Sequence, residues 1–258
     1  MRRPLYFLAF LLLCWQTSFA QGPGFLMGIR LNGGEATENQ VPGTLNQQYA
    51  YPTEEEVEYY YRKGFQLVCL PFRWERIQKA LGEELNANDV AAMRKVMGWC
   101  NSRGMKVLLS MHNGGRYRRY GIDFILGSAT VPRSDFADVW NKVANVFSGY
   151  NNLYGYEIMA EPHDMQSFDW QQSAQAAITA IRDADRRSTI IIAGDNFAAA
   201  DTWNEYSDKL RNLTDPQDKL LYNAHCYFDN DFTGRYLYSF DQNKAEDQTG
   251  VKRVAPFV

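Results

Sequence analysis

Short apolar runs alternate along the chain with longer stretches in which apolar residues recur every three or four positions. The dense runs fall at Phe25–Leu31, Phe65–Leu70, Lys106–Met111, Leu153–Met159, Thr189–Ala193 and Leu220–Cys226. Runs of this length predict strands buried on both faces. The stretches between them predict helices. Thr53 and Glu56 form the sequence of a capping box, and Glu54, Glu55 and Glu56 suit a helix N-terminus. After Asn88 the apolar residues Val90, Met93, Met97 and Cys100 share one helical face. Ser134–Phe147 and Trp170–Ala184 repeat that pattern, and Asn204–Leu213 does so less regularly.

Six strands in strict alternation with helices imply a parallel sheet, either an open doubly wound sheet or a closed barrel. No Gly-x-Gly-x-x-Gly or phosphate loop follows any strand, which weakens the nucleotide-binding option. The strands recur roughly every 40 residues, near the spacing of a barrel with loop insertions. The expected fold class is α/β, with this spacing favouring a (β/α)8 barrel, truncated after its sixth unit, over the open sheet. Two further units would need about 80 residues beyond Cys226, and fewer remain.

The first twenty residues read differently. Arg2 and Arg3 precede an apolar run from Leu5 to Trp15, and Ser18-Phe19-Ala20 offers small residues at a cleavage site. Residues 1–20 are expected to be a signal peptide and 21–258 the barrel. The protein is thus expected to be secreted or periplasmic. Cys14 suggests a lipoprotein, but Leu13 is too large before a lipidated Cys. Cys69, Cys100 and Cys226 then remain, an odd number that leaves at least one free thiol. No Cys-x-x-Cys pair signals zinc or redox chemistry.

The net charge is −3, and no block of like charge suggests a nucleic-acid arm. Aromatic residues make up 14% of the chain, a composition suited to flat sugar faces rather than a polyanion.

Polar residues collect just past the strands' carboxyl ends. His112 and Asn113 follow the third strand, Glu161 and His163 the fourth, and Asp195 and Asn196 the fifth. His225 and Tyr227 close the sixth. In a barrel these ends form one rim, where active sites lie. All three histidines of the chain fall there, so chance placement is a poor explanation. Glu161 follows an apolar strand and precedes Pro162. A carboxyl group at such a mouth, beside apolar walls, is expected to have a raised pKa and to act as a general acid. The plainer alternative is a solvated loop Glu or a helix cap.

Tyr156-Glu157-Ile158-Met159-Ala160-Glu161-Pro162-His163 resembles the acid/base signature of glycoside hydrolase family five, the cellulase-like family. Gly64 to Arg76, through Val68, Cys69, Leu70, Pro71, Phe72, Trp74 and Glu75, is similar to that family's second strand and following turn. Ser110-Met111-His112-Asn113 resembles its third-strand motif. Tyr222-Asn223-Ala224-His225-Cys226-Tyr227, with Asp229 and Asp231 beyond, resembles its sixth. The resemblance implies a retaining hydrolase of β-1,4-linked glucan, with mannan and xylan left open. Glu161 would be the acid/base. His112, Asn113, His225 and Tyr227 would line the sugar subsite, and Trp203 would stack on substrate. No cofactor or metal is implied, the partner is a polysaccharide, and a monomer is expected.

Departures from the family accompany these matches. The family's nucleophile is a Glu after a seventh strand, a position this sequence does not reach. Glu246 is the last Glu and lies in a polar stretch. The family's Asn before the acid/base is Ala160, and its second-strand Arg is Cys69. The alternative is therefore a carbohydrate-binding remnant without catalysis, using Trp74, Tyr117, Tyr120, Trp203 and Tyr227. Tyr117 and Tyr120, among Arg116, Arg118 and Arg119, could equally be a solvated loop with ion pairs. Two further readings carry less. His112, His163 and His225 could hold zinc, but without a paired ligand motif. Asp229-Asn230-Asp231-Phe232-Thr233-Gly234 starts like a calcium loop, but Phe240 stands where the closing carboxylate belongs.

Overall fold

The computed structural model describes residues 26–229, 234–239, 241–242 and 254–257. Residues 1–20, expected to be a signal peptide, lie outside them, as do Phe25, Asn230, Asp231, Phe232, Thr233, Phe240 and Glu246.

Six parallel strands form one sheet in chain order: β1 (Gly28–Arg30), β2 (Leu67–Phe72), β3 (Lys106–Met111), β6 (Leu153–Glu157), β7 (Thr189–Ala193) and β8 (Leu220–Asn223). Each pairs with the next along the sheet, as in a (β/α)8 barrel, and the described residues form its first six strands. Helices cover the outer face: α1 (Glu54–Arg62), α3 (Ala87–Ser102), α4 (Arg133–Phe147) and α5 (Trp170–Ala184). Short helices α2 (Trp74–Ile77) and α6 (Trp203–Tyr206) lie in the connections.

The capping box starts α1 as its sequence implies: Glu56 N–H donates to the Thr53 hydroxyl, and Thr53 N–H donates to the Glu56 carboxylate. In α3 the buried face is Met93, Val96, Met97 and Cys100. Asp89 is buried beside it, where it accepts from Tyr49 and Tyr51 hydroxyls and from Asn86. Trp140 of α4 and Trp170 of α5 latch onto strand ends, their indole N–H groups donating to the carbonyls of Ile158 and Ala193.

The period of two decides which side chains face inward. Val68, Leu70, Val107, Leu109, Tyr156, Ile190 and Ile192 pack under the helices. Arg30, Cys69, Ser110, Glu157 and Asn223 occupy the opposite parity and face the barrel interior. Gly155 has the same parity as Glu157, and only glycine fits there, since a Cβ would sit 2.1 Å from the Thr189 carbonyl oxygen.

One element is missing from the sequence reading. Strands β4 (Arg116–Arg119) and β5 (Ile122–Ile125) form an antiparallel hairpin in the loop after β3. Its two turn residues, Tyr120 and Gly121, both have positive φ, as a type I′ turn demands. Tyr at the first position hides that signal. The ion pairs expected among these arginines exist, and Arg118 grips Asp123 with two nitrogens. The stretch from Asn204 divides into α6 and a 3-10 turn at Asp208–Asn212.

Candidate active site

Glu161 stands two positions beyond Met159 at the mouth of the sheet, with a left-handed backbone (φ 50°). Such a conformation is unfavourable for a residue with a side chain and persists only where the surroundings impose it. Here Ala160 N–H donates to the Met111 carbonyl, and His163 Nδ1 donates to the carbonyl of Glu161 itself, at 3.0 Å. His163 stacks face to face on Phe197, with ring centroids 4.2 Å apart. Gly114 makes room for that imidazole: its φ is +60°, and a Cβ would lie 2.9 Å from His163 Cε1.

His225 Nδ1 lies 2.9 Å from Glu161 Oε1. The backbone of His225 is pinned between Ala198 and Ala200, exchanging one hydrogen bond with each. On its other edge, Asn223 Nδ2 lies 3.3 Å from Nε2. An amide nitrogen only donates, so in the neutral ring Nε2 accepts and Nδ1 carries the proton toward Glu161. Asn223 also donates to Glu157 Oε1, and Ser110 donates to Glu157 Oε2. Hydrogen bonds thus run continuously from Ser110 through Glu157, Asn223 and His225 to Glu161.

The electrostatics correct one expectation. The Glu161 pKa is lowered rather than raised. Burial alone would raise it, but the His225 hydrogen bond outweighs burial, and the charges of His225, Arg30 and His163 act in the same direction. Tyr227 moves oppositely, pushed up first by burial and then by the charge of Glu161 and a hydrogen bond to it. Asp195 is raised by burial and accepts from the backbone N–H groups of Met165 and Asn196.

Other named residues are largely buried against protein partners. Asn113 is 4% exposed: its oxygen accepts from Trp74 N–H, and its nitrogen donates to both oxygens of Glu75. It fastens the loop after β2 to the loop after β3. Trp203 is mostly enclosed as well. It is 9% exposed, packs edge-on against Phe257 and Tyr222, and backs onto Gly194, where a Cβ would meet its ring at 2.5 Å. Trp74 and Tyr117 are also buried, against each other. Of the aromatic residues named from the sequence, Tyr120 and Tyr227 remain exposed, and Phe197, Phe228, Tyr236 and Tyr238 are exposed as well. Sequence reading missed Phe197, since nothing in a lone loop Phe marks it as the partner of His163. It missed Arg30 because only strand register brings that residue to the site.

His112 follows β3, its N–H donating to Phe72, with Nδ1 buried and unpartnered among the described residues. The histidines do not combine with other His, Cys, Asp or Glu into a group of three able to hold a metal, among the described residues. Cys69 and Cys100 are free thiols. A cavity of about 730 Å³ between the β1–α1 loop and α3, lined by Tyr49, Asp89 and Trp99, contains none of the strand-end residues.

A parallel barrel sheet with a carboxylate–imidazole pair at its carboxyl edge defines the class of barrel enzymes whose chemistry sits on the βα loops. Residues 30–255 match the model of the cellulases, glycosyl hydrolase family 5, and the chain belongs to that family. It is similar to endo-beta-1,4-glucanase B of Emericella nidulans, 30% identical over 210 residues, which are 81% of this chain and 61% of that protein. It spans about three fifths of the curated relatives' length. Among solved structures it resembles endoglucanase Cel5A of Pseudomonas stutzeri in complex with cellobiose, with a TM-score of 0.82 and 36% identity, covering 90% of this chain and 69% of that one. An endo-beta-1,4-glucanase of Xanthomonas axonopodis pv. citri aligns with a TM-score of 0.75 and 31% identity, over 81% of this chain and 67% of that one.

Proposed function

We propose that this chain carries the acid/base half of a retaining β-1,4-glucan hydrolase, with Glu161 as the acid/base. The observation that supports this most is the Glu161–His225 pair at the strand ends of a family 5 barrel. Glu161 protonates the glycosidic oxygen as the bond breaks, then takes a proton from the water that releases the sugar. His225 orients the carboxylate, and the Ser110–Glu157–Asn223 chain orients His225. His112, Tyr227 and the Phe197 platform form the sugar-facing wall. The lowered pKa of Glu161 fits the base half. In the acid half it must hold a proton, which substrate burial and a second carboxylate about 5–5.5 Å away favour. The family resemblance puts that carboxylate after a seventh strand, and none of the described residues forms one.

The relatives named endoglucanases support a glucan substrate, and the segment 1–20 fits export to reach it. The decisive variant is Glu161→Gln in a version of the protein that carries the second carboxylate: turnover of soluble glucan falls by about 10²–10⁴, while retention on a glucan affinity gel persists. Unchanged turnover removes Glu161 from the mechanism. A wild-type chain that is retained on glucan but releases no reducing sugar supports the carbohydrate-binding alternative.

A further inference from the structure

Two neighbouring strands carry an exchange that the linear sequence hides. Cys69 stands where the family resemblance implies an arginine. In the parallel ladder the partner of Cys69 is Arg30 on β1. Ile29, Val68 and Leu70 pack on the helix side, so Arg30 and Cys69 leave the other face together, into the barrel interior. Paired positions on adjacent strands lie about 5 Å apart, well within the length of an arginine side chain. The small thiol leaves the space between β1 and β2 open to the guanidinium.

Arg30 does not fasten the fold. Its Nη2 is buried and has no hydrogen-bond partner among the described residues. A buried guanidinium nitrogen without an acceptor is costly, so such an atom marks a place that an acceptor completes. Cys69 cannot supply it: burial first, and the charge of Glu157 second, push its thiol up to about 12, and it stays neutral. The charge of Arg30 instead reaches Glu161 and Tyr227 across the mouth of the sheet.

We propose that Arg30 is a positioning residue of the catalytic centre, replacing from the first strand the guanidinium that the family carries on the second, with Nη2 left as donor to a second carboxylate. The proposal rests on the reading of Glu161 as the acid/base. It also accounts for Cys69 as half of a relocation rather than a loss.

The test is an NMR titration of the Glu161 carboxyl in the full chain labelled at glutamate side-chain carboxyl carbons, with the signal assigned through Glu161→Gln. The titratable and charged groups facing Glu161 are His225 and Tyr227 beyond β8, His163 in its own loop and Arg30 from β1. Arg30→Met, or Arg30→Gln if the methionine variant does not fold, moves the midpoint upward. Arg30→Lys keeps it near the wild type. The double variant Arg30→Met/Cys69→Arg moves it back. Sodium formate, against a sodium chloride control, perturbs the Glu161 signal in the wild type and not in Arg30→Met. An unmoved midpoint in a folded Arg30→Met or Arg30→Gln, no return in the double variant, or a formate effect that persists without Arg30 overturns the proposal. No turnover is measured, so an active Glu161→Gln would refute the catalytic reading while leaving this result to stand or fall separately.

Discussion

Replacing Arg182 by Met removes the clamp that sets the position of β8. Arg182 of α5 reaches Asp215 with two nitrogens, at 2.7 and 2.9 Å, and donates from Nη1 to the carbonyls of Asp185 and Ser188. The two side chains are 4% and 1% exposed, so solvent screens little of this pair. Asp215 lies in the turn before β8, the strand that carries Asn223 toward His225. Breaking a buried pair from one side costs about 3–5 kcal/mol, mostly because the other charge is left uncompensated. Asp215 keeps two backbone donors, Gln217 and Lys219, which places the expected loss near the lower figure. About 3 kcal/mol lowers the melting temperature by about 6–12 °C in a chain of this size.

Thermal unfolding followed by circular dichroism measures that shift. Arg182→Met/Asp215→Leu, which removes both charges, recovers much of the loss. Its pH dependence has a definite sign. Burial raises the Asp215 pKa, but the Arg182 hydrogen bond and two backbone N–H groups outweigh it, and the net shift is downward. A depressed carboxylate contributes stability above its unfolded pKa and loses it as pH falls through the folded one. The gap between wild type and Arg182→Met therefore narrows in acid. An unshifted melting temperature in the single variant, or a double variant as unstable as the single, refutes the argument from an uncompensated buried charge.

Two further outcomes separate roles within the site. His225→Ala removes the leading cause of the lowered Glu161 pKa, so this variant loses stability near neutral pH, and the difference from wild type shrinks as pH falls through the Glu161 pKa; melting curves at neutral and acid pH check this. Trp203→Ala costs about 3–5 kcal/mol as a core truncation and leaves glucan retention unchanged below the melting temperature; lost retention at unchanged stability would return Trp203 to the substrate surface.

The helices and strands were legible because burial imposes a period. Thr189–Ala193 and Lys106–Met111 have the ends the apolar runs imply, and α5 runs over Trp170–Ala184 as its pattern does. The β4–β5 hairpin escaped because Tyr120-Gly121 lacks the usual Asn-Gly turn residues, and strand pairing, not propensity, stabilises it. Aromatic side chains were the least legible. Trp203, Trp74 and Tyr117 stand in polar surroundings in the sequence, yet the fold buries them, because a neighbour in the chain says little about which remote residues close over a ring.

What the sequence determined by itself is the order of six βα units and the gathering of Glu161, His112, His163 and His225 at their carboxyl ends, since both follow from local periodicity and parallel direction. The tertiary structure decided the chemistry among them. Only the packing of β8 beside β7 brings His225 within 2.9 Å of Glu161 and turns the expected rise of its pKa into a fall. Only the register of β1 on β2 sets Arg30 beside Cys69. Hydrogen bonds and charges act over a few ångströms, and no linear pattern encodes such distances between residues dozens of positions apart.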